Sequence, residues 1–229
     1  KLAQVKEPEE YLVDDSMIIE PLPEEEAKKV EIVRGPNIKF LPIPEPPRQH
    51  LQVPVSLKGG DNISTDDITP ASAEFSSMRS NIPLMSQYCY YRYDPDFAAR
   101  AKEMGSSIIV AGENYGQGSS REHAAINPMY LGVKAVIAKS IARIHKGNLI
   151  NHGIIPMIFE DCRDYDRIDL LDELEIDNLP DQIRTRTVTV KDKTKDFTFQ
   201  VKLELSNSEM EVVLEGGQLS HLKKQLAGQ

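Results

Sequence analysis

The stretch Ser107-Ile108-Ile109-Val110-Ala111-Gly112-Glu113-Asn114-Tyr115-Gly116-Gln117-Gly118-Ser119-Ser120-Arg121-Glu122-His123 decides how the chain reads. Its first five residues form a continuous apolar run without alternation, the pattern of a strand buried on both faces. Three glycines follow within seven residues, allowing positive φ and close backbone approach. A helix is expected over residues 120–131. Outward from there the same alternation repeats. Residues 135–138 and 154–159 read as buried strands, and residues 141–151 as a helix. Upstream, Asp94-Pro95 reads as a cap followed by a proline at the first helical position, opening a helix that runs through Phe97 to Gly105, and residues 53–57 read as a short strand ended by Gly59-Gly60. This order predicts an α/β domain with a buried, mostly parallel sheet. The tail differs. Residues 185–191 and 197–205 alternate around a polar turn and predict an antiparallel hairpin. Residues 211–214 read as a further strand, Gly216-Gly217 as a break, and residues 218–227 as a short amphipathic helix.

Of the 229 residues, 40% are hydrophobic and 28% charged, an ordinary composition for a soluble, folded chain. No run approaches the length of a membrane span. Cys89 and Cys162 are 73 residues apart, which is no metal-ligand spacing; both are expected to be small buried hydrophobes. A reducing compartment follows as the default, and a cytoplasmic location is expected. The net charge of −9 argues against nucleic-acid binding. Residues 1–34 hold ten acids and five bases, so they carry −5 of that charge. Next comes Pro42-Ile43-Pro44-Glu45-Pro46-Pro47, a semi-rigid polyproline arm. The expected organisation is therefore an acidic, proline-rich linker over residues 1–47 and a folded domain over 48–229. The start at Lys1 rather than Met fits a chain cut from something longer.

The glycine loop is the chemically informative element. A helix start presents free N–H groups and a positive dipole end, a setting suited to an anion. Ser119 and Ser120 add hydroxyls, and Arg121 adds a guanidinium that can grip a carboxylate through two parallel bonds. Read this way, the loop is an anion site with a candidate serine nucleophile or base. A plain glycine turn with a serine cap and a salt-bridged arginine is the alternative. No Gly-Lys-Ser/Thr ends the loop, which disfavours a nucleotide P-loop. No Gly-x-Ser-x-Gly is present, which disfavours a hydrolase elbow.

Residues 112–125 (GENYGQGSSREHAA) closely resemble the C-terminal swivel domain of aconitase, as do residues 60–70 (GDNISTDDITP) and 138–148 (AKSIARIHKGN), in the same order. The resemblance implies a swivelling β/β/α three-layer domain. It implies a [4Fe-4S] cluster ligated by other domains and none held by this chain. It implies a hydro-lyase interconverting citrate and isocitrate through cis-aconitate, with this chain inactive until the cluster-bearing N-terminal domains are supplied. By motif position Ser119 is the base, and Arg79, Ser120 and Arg121 bind substrate carboxylates. The helix start and Arg121 would stabilise the Ser119 alkoxide. Arg92 is the fallback for Arg79. Asp66, Glu122 and His123 are expected to support them, with Asp66 orienting Arg79. His123 and His145 read as helix-face hydrogen bonders. The small subunits of 3-isopropylmalate isomerase and homoaconitase share the Ser-Ser-Arg-Glu-His motif and are the alternative reading. A non-catalytic RNA-binding module is a third.

Overall fold

The computed structural model describes Pro8 and residues 10–227. The chain divides into two compact units, the first ending at Gly35 and the second beginning at Pro36. In the first unit Glu24–Ala27 forms a single helical turn, and the acidic run Glu24-Glu25-Glu26 is exposed. The polyproline stretch falls in the second unit. There the backbone of residues 44–46 runs so close to Gly216 that a Cβ on that glycine would lie 2.9 Å from Pro46 N.

Seven strands carry the second unit: β1 (Leu51–Lys58), β2 (Ser107–Ala111), β3 (Val133–Ala138), β4 (Ile155–Phe159), β5 (Glu173–Ile176), β6 (Thr187–Asp192) and β7 (Phe197–Lys202). β1 to β4 are parallel neighbours in chain order. The hairpin β6–β7 is antiparallel, as the tail's alternation predicts. The α/β class therefore stands, but the expected three-layer arrangement gives way to a closed barrel in the order β1-β2-β3-β4-β7-β6-β5. Closure comes from two antiparallel joints. β5 pairs with the first half of β1 (Val53 opposite Leu174), and β7 with the end of β4 (Phe159 opposite Val201). Both sheet edges are thereby paired and no unsatisfied ladder remains open.

Strand alternation sorts the core into two bodies. Val53, Ile108, Ile137, Met157, Leu174, Val190 and Val201 fill the barrel interior. On the outer face of the parallel strands, Ile109, Ala111, Val136 and Ala138 meet helix residues. These helices are α1 (Phe97–Met104), α2 (His123–Tyr130) and α3 (Arg143–Asn151). Burial on both sides explains why the parallel strands read as unbroken apolar runs.

Three further helices lie in the C-terminal part, α4 (Leu179–Thr185), α5 (Asn207–Leu214) and α6 (Gln218–Ala227), and short helical turns occupy Thr65–Ile68, Ala73–Ser76 and Ile82–Met85. α5 corrects the strand expected over residues 211–214. Ser206 accepts a hydrogen bond from the Glu209 amide, and the Glu209 carboxylate accepts one from the Ser206 amide, forming a complete capping box. Val212 and Val213 are buried against the barrel core, so packing overrides their β preference. α1 also starts later than expected. Asp94 accepts from the Asp96 amide ahead of the helix instead of capping it, and also pairs with Arg100. Cys89 is buried as expected, whereas Cys162 is exposed.

Ser206→Ala removes the α5 cap and is expected to cost about 1 kcal/mol. Urea denaturation should show a lower midpoint with an unchanged slope. An unchanged midpoint would mean that packing alone holds this helix.

Candidate active site

The loops that follow β1, β2 and β3 meet at the carboxyl ends of the parallel strands. Backbone bonds lace the first two together. Gly112 N donates to Gly60 O, Asn62 N to Glu113 O, Gly116 N to Ile63 O and Thr65 N to Gln117 O, all between 2.7 and 3.1 Å. Asp61 Oδ1 accepts from the Glu113 amide at 2.7 Å. This contact demands Gly112, where a Cβ would sit 2.0 Å from that oxygen. The third loop joins through Tyr115 N to Ser140 O at 3.0 Å and Ala142 N to Tyr115 O at 2.9 Å. Beneath them Tyr115 is fully buried, and its hydroxyl bonds that of Tyr90. Burial pushes both phenols well above the usual tyrosine range. Tyr93, in the same tyrosine-rich segment, accepts from the Gly60 amide at 2.8 Å.

At the tip of this lacework, Gly118, Ser119 and Ser120 are exposed. The Ser119 carbonyl is held by the Thr65 hydroxyl at 2.9 Å. The amides of Ser119, Ser120 and Arg121 take no backbone partner among the described residues. α2 begins at His123, so the helix start lies four residues beyond Ser119 instead of at it. The free amides therefore belong to the loop rather than to a helix terminus.

Ser120 is shared by two recesses, and Ser119 lines the second of them. One, of about 250 Å³, is lined by Thr69, Arg79, Ser120, Arg121, Glu122 and His123. The other, of about 230 Å³, is lined by Thr65, Gly116, Gly118, Ser119, Ser120, Ala142, Arg143, Ile144, His145 and Asn148. Arg121 forms an ion pair with Asp66. The partner of Asp66 is thus Arg121, where the resemblance implied Arg79. Arg79 is exposed, and its carbonyl bonds His123 Nε2 at 2.9 Å. The His123 carbonyl accepts from Thr69 Oγ1 at 3.2 Å. Arg79 therefore shares a recess with Ser120 and Arg121. Arg92 does not line either recess; it bonds the Tyr91 hydroxyl at 2.8 Å. Glu122 stands at α2's N-cap position without a side-chain capping bond.

His145 departs from its reading as a helix-face hydrogen bonder. It is 1% exposed, and neither ring nitrogen has a partner among the described residues. Its ring lies under Gly116 (φ +76°), where a Cβ would fall 2.0 Å from His145 Cδ2. Burial lowers its pKa from 6.5 to about 4.

An iron–sulfur cluster does not fit this chain's own donors. The two cysteines are one buried and one exposed. No group of three or more His, Cys, Asp or Glu side chains able to hold a metal ion occurs among the described residues. No helix there is long and apolar enough to cross a membrane.

The fold and the loop define a class: an α/β barrel domain presenting an exposed serine-bearing loop at the carboxyl ends of its parallel strands. Comparison with known proteins narrows it. Residues 84–162 match the Aconitase C-terminal domain. The chain is 40% identical over 167 residues to the 3-isopropylmalate dehydratase small subunit 2 of Archaeoglobus fulgidus, covering 73% of this chain and 92% of that one. It is 33% identical over 212 residues to the putative mitochondrial aconitate hydratase of Emericella nidulans, covering 81% of this chain. It spans only 26% of that relative's length. The crystal structure of 3-isopropylmalate dehydratase from Methanocaldococcus jannaschii superposes with a TM-score of 0.63 at 34% identity, covering 77% of this chain and 96% of the other. The chain belongs to the aconitase C-terminal-domain family.

Two outcomes follow from the packing around His145. Gly116→Ala should destabilise the domain by roughly 1–3 kcal/mol, from a strained φ and a displaced imidazole; unfolding at wild-type denaturant concentration would refute the contact. The second outcome concerns pH. The unfolded chain takes up a proton near pH 6.5 that folded His145 refuses until about pH 4. Stability should therefore fall as pH falls through that interval. His145→Phe should flatten the fall, leaving the smaller part from His152, which burial shifts the same way. An identical pH profile in that variant would contradict the assignment.

Proposed function

We propose that this chain is the serine-bearing component of an aconitase-superfamily hydro-lyase. On this reading it supplies the base and part of the carboxylate-binding surface, while a separate cluster-bearing component supplies the rest of the site. The observation that carries the reading is Ser119, held by its carbonyl at an exposed loop tip on the Arg143 recess, next to Ser120, which also lines the recess of Arg79 and Arg121. No acid or base in this chain hydrogen-bonds its hydroxyl among the described residues. The serine is therefore activated by field rather than by a proton relay. The unpartnered amides of residues 119–121 and the guanidiniums of Arg121 and Arg143 all favour the alkoxide.

In the dehydration half-reaction, Ser119 Oγ takes the proton from the carbon next to a carboxylate. The electron pair forms the double bond of an enediacid, and the hydroxyl leaves the neighbouring carbon as hydroxide, which the cluster-bearing component would receive as a Lewis acid. Rehydration with the groups exchanged returns the proton from Ser119 to one carbon and adds hydroxide to the other, so that one water is lost and one regained over the cycle. Ser120 and Arg121 orient the carboxylate beside the reacting carbon. Asp66 keeps the Arg121 fork in one orientation, a positioning role. Arg79, with no ion pair among the described residues, is available to a second carboxylate.

The coverage of small-subunit relatives over nearly their whole length supports the reading as a small subunit of the 3-isopropylmalate dehydratase or homoaconitase type. Aconitate hydratase is the second reading. It is favoured by Arg79 in the recess beside Ser120, a cation suited to a carboxylate arm rather than an alkyl one, and by the longer aligned stretch. Supplying the chain with each type of cluster-bearing component, and comparing turnover of 3-isopropylmalate, homocitrate and citrate, separates them.

Ser119→Ala should lower turnover of the completed enzyme by at least about a hundredfold without shifting the domain's melting temperature, because the side chain is exposed. Retained turnover would refute the base. Loss of folding would mean that the hydroxyl is a structural cap.

A further inference from the structure

The second recess holds more unsatisfied polarity than the serine loop requires. α3 opens directly into it, with Ala142 at the N-cap position and no side-chain capping bond. The amides of Arg143, Ile144 and His145 take no backbone acceptor among the described residues. An alanine N-cap leaves these first-turn donors unserved. A cation at the first helical position is the wrong sign for the dipole of an empty helix end. Arg143 occupies that position, exposed and without an ion pair among the described residues.

One turn further, on the same helix face, two side chains add to the imbalance. Asn148 is 8% exposed with its Nδ2 unpartnered, and His145 has both nitrogens unpartnered. Buried polar groups are normally paired. Both residues line the recess, which is where a partner would reach them.

We propose that this recess is a second oxyanion subsite, in which the N-terminal amides of α3, Arg143 and the Asn148 amide receive a carboxylate of the substrate on the side of Ser119 opposite Arg79. The sharing of Ser120 between the two recesses puts both anion sites within one small molecule's reach of the serine. Neutral imidazole suits this place, since it donates one hydrogen bond and adds no charge to compete with Arg143. This rests on the reading of Ser119 as the base, and adds which groups hold the substrate across it.

The test is binding to the full chain by side-chain amide and imidazole NMR, with tricarballylate as probe and acetate as the monocarboxylate control. The Asn148 Nδ2 protons and the His145 ring signals should shift saturably with tricarballylate and not with acetate at equal concentration. Arg143→Gln, at an exposed position that leaves packing intact, should weaken binding at least fivefold. Asn148→Asp, which places a carboxylate in the recess, should do the same, and its fold is checked by its backbone spectrum. Unshifted Asn148 and His145 signals would overturn the subsite, as would binding lost only in Arg79→Gln. Because no turnover is measured, an inactive or active Ser119→Ala enzyme leaves this result unaffected, so the two readings fail separately.

Discussion

The lacing of the 60–65 loop onto the 112–119 loop is the constraint on which the site depends. Gly60, Asn62, Ile63 and Thr65 exchange backbone bonds with Gly112, Glu113, Gly116 and Gln117, and the first loop ends in a single helical turn, Thr65–Ile68, capped by Ser64. The last rung is the Thr65 hydroxyl on the Ser119 carbonyl. Each bond contributes only about 0.5–1.5 kcal/mol net, but leaving any of these groups buried and unpaired costs more. The ladder is therefore an all-or-none arrangement that places Ser119 at a set height above the barrel. Gly112 and Gly116 are the two positions where a side chain would push the loops apart, one against Asp61 and the other against His145.

The barrel supplies rigidity beneath that ladder. Parallel strands β1, β2 and β3 end on the same side, and each hands its chain to one of the three laced loops. Functional groups at the carboxyl ends of parallel strands are a general consequence of this geometry. What is particular here is the distribution of charge. Arg121 is neutralised by Asp66, whereas Arg79 and Arg143 have no carboxylate partner among the described residues. A chain of net negative charge thus keeps two guanidiniums without a carboxylate partner on the recesses that Ser120 joins.

Much of this was legible in the residues, and the failures have physical causes. The parallel strands were readable because burial on both faces leaves no polar alternation. Their order, and the hairpin of β6 and β7, followed from local pattern. Barrel closure was not readable, because β5 is a four-residue segment whose partner Leu51–Pro54 lies more than a hundred residues away. α5 was misread because two adjacent valines outweighed Ser206 and Glu209, although that spacing is a capping signal in its own right. Arg79, Ser120 and Arg121 line one recess, and Ser119 and Ser120 line the other. The helix start was placed too early, and the partner of Asp66 was assigned to Arg79. Ion-pair choice depends on side-chain direction across two loops, which spacing does not encode. Asn148 and the uncapped start of α3 were missed, though Ala142 before Arg143 is a visible sign of an unserved helix end.

The central claim is that Ser119 exchanges a proton with the substrate carbon while other groups hold the substrate in place. The direct measurement is wash-out of deuterium from the reacting carbon into solvent, followed in the completed enzyme together with substrate affinity. The account predicts that Ser119→Ala loses the exchange and keeps the affinity within about twofold, since the binding groups remain. Exchange at the wild-type rate in that variant would contradict it.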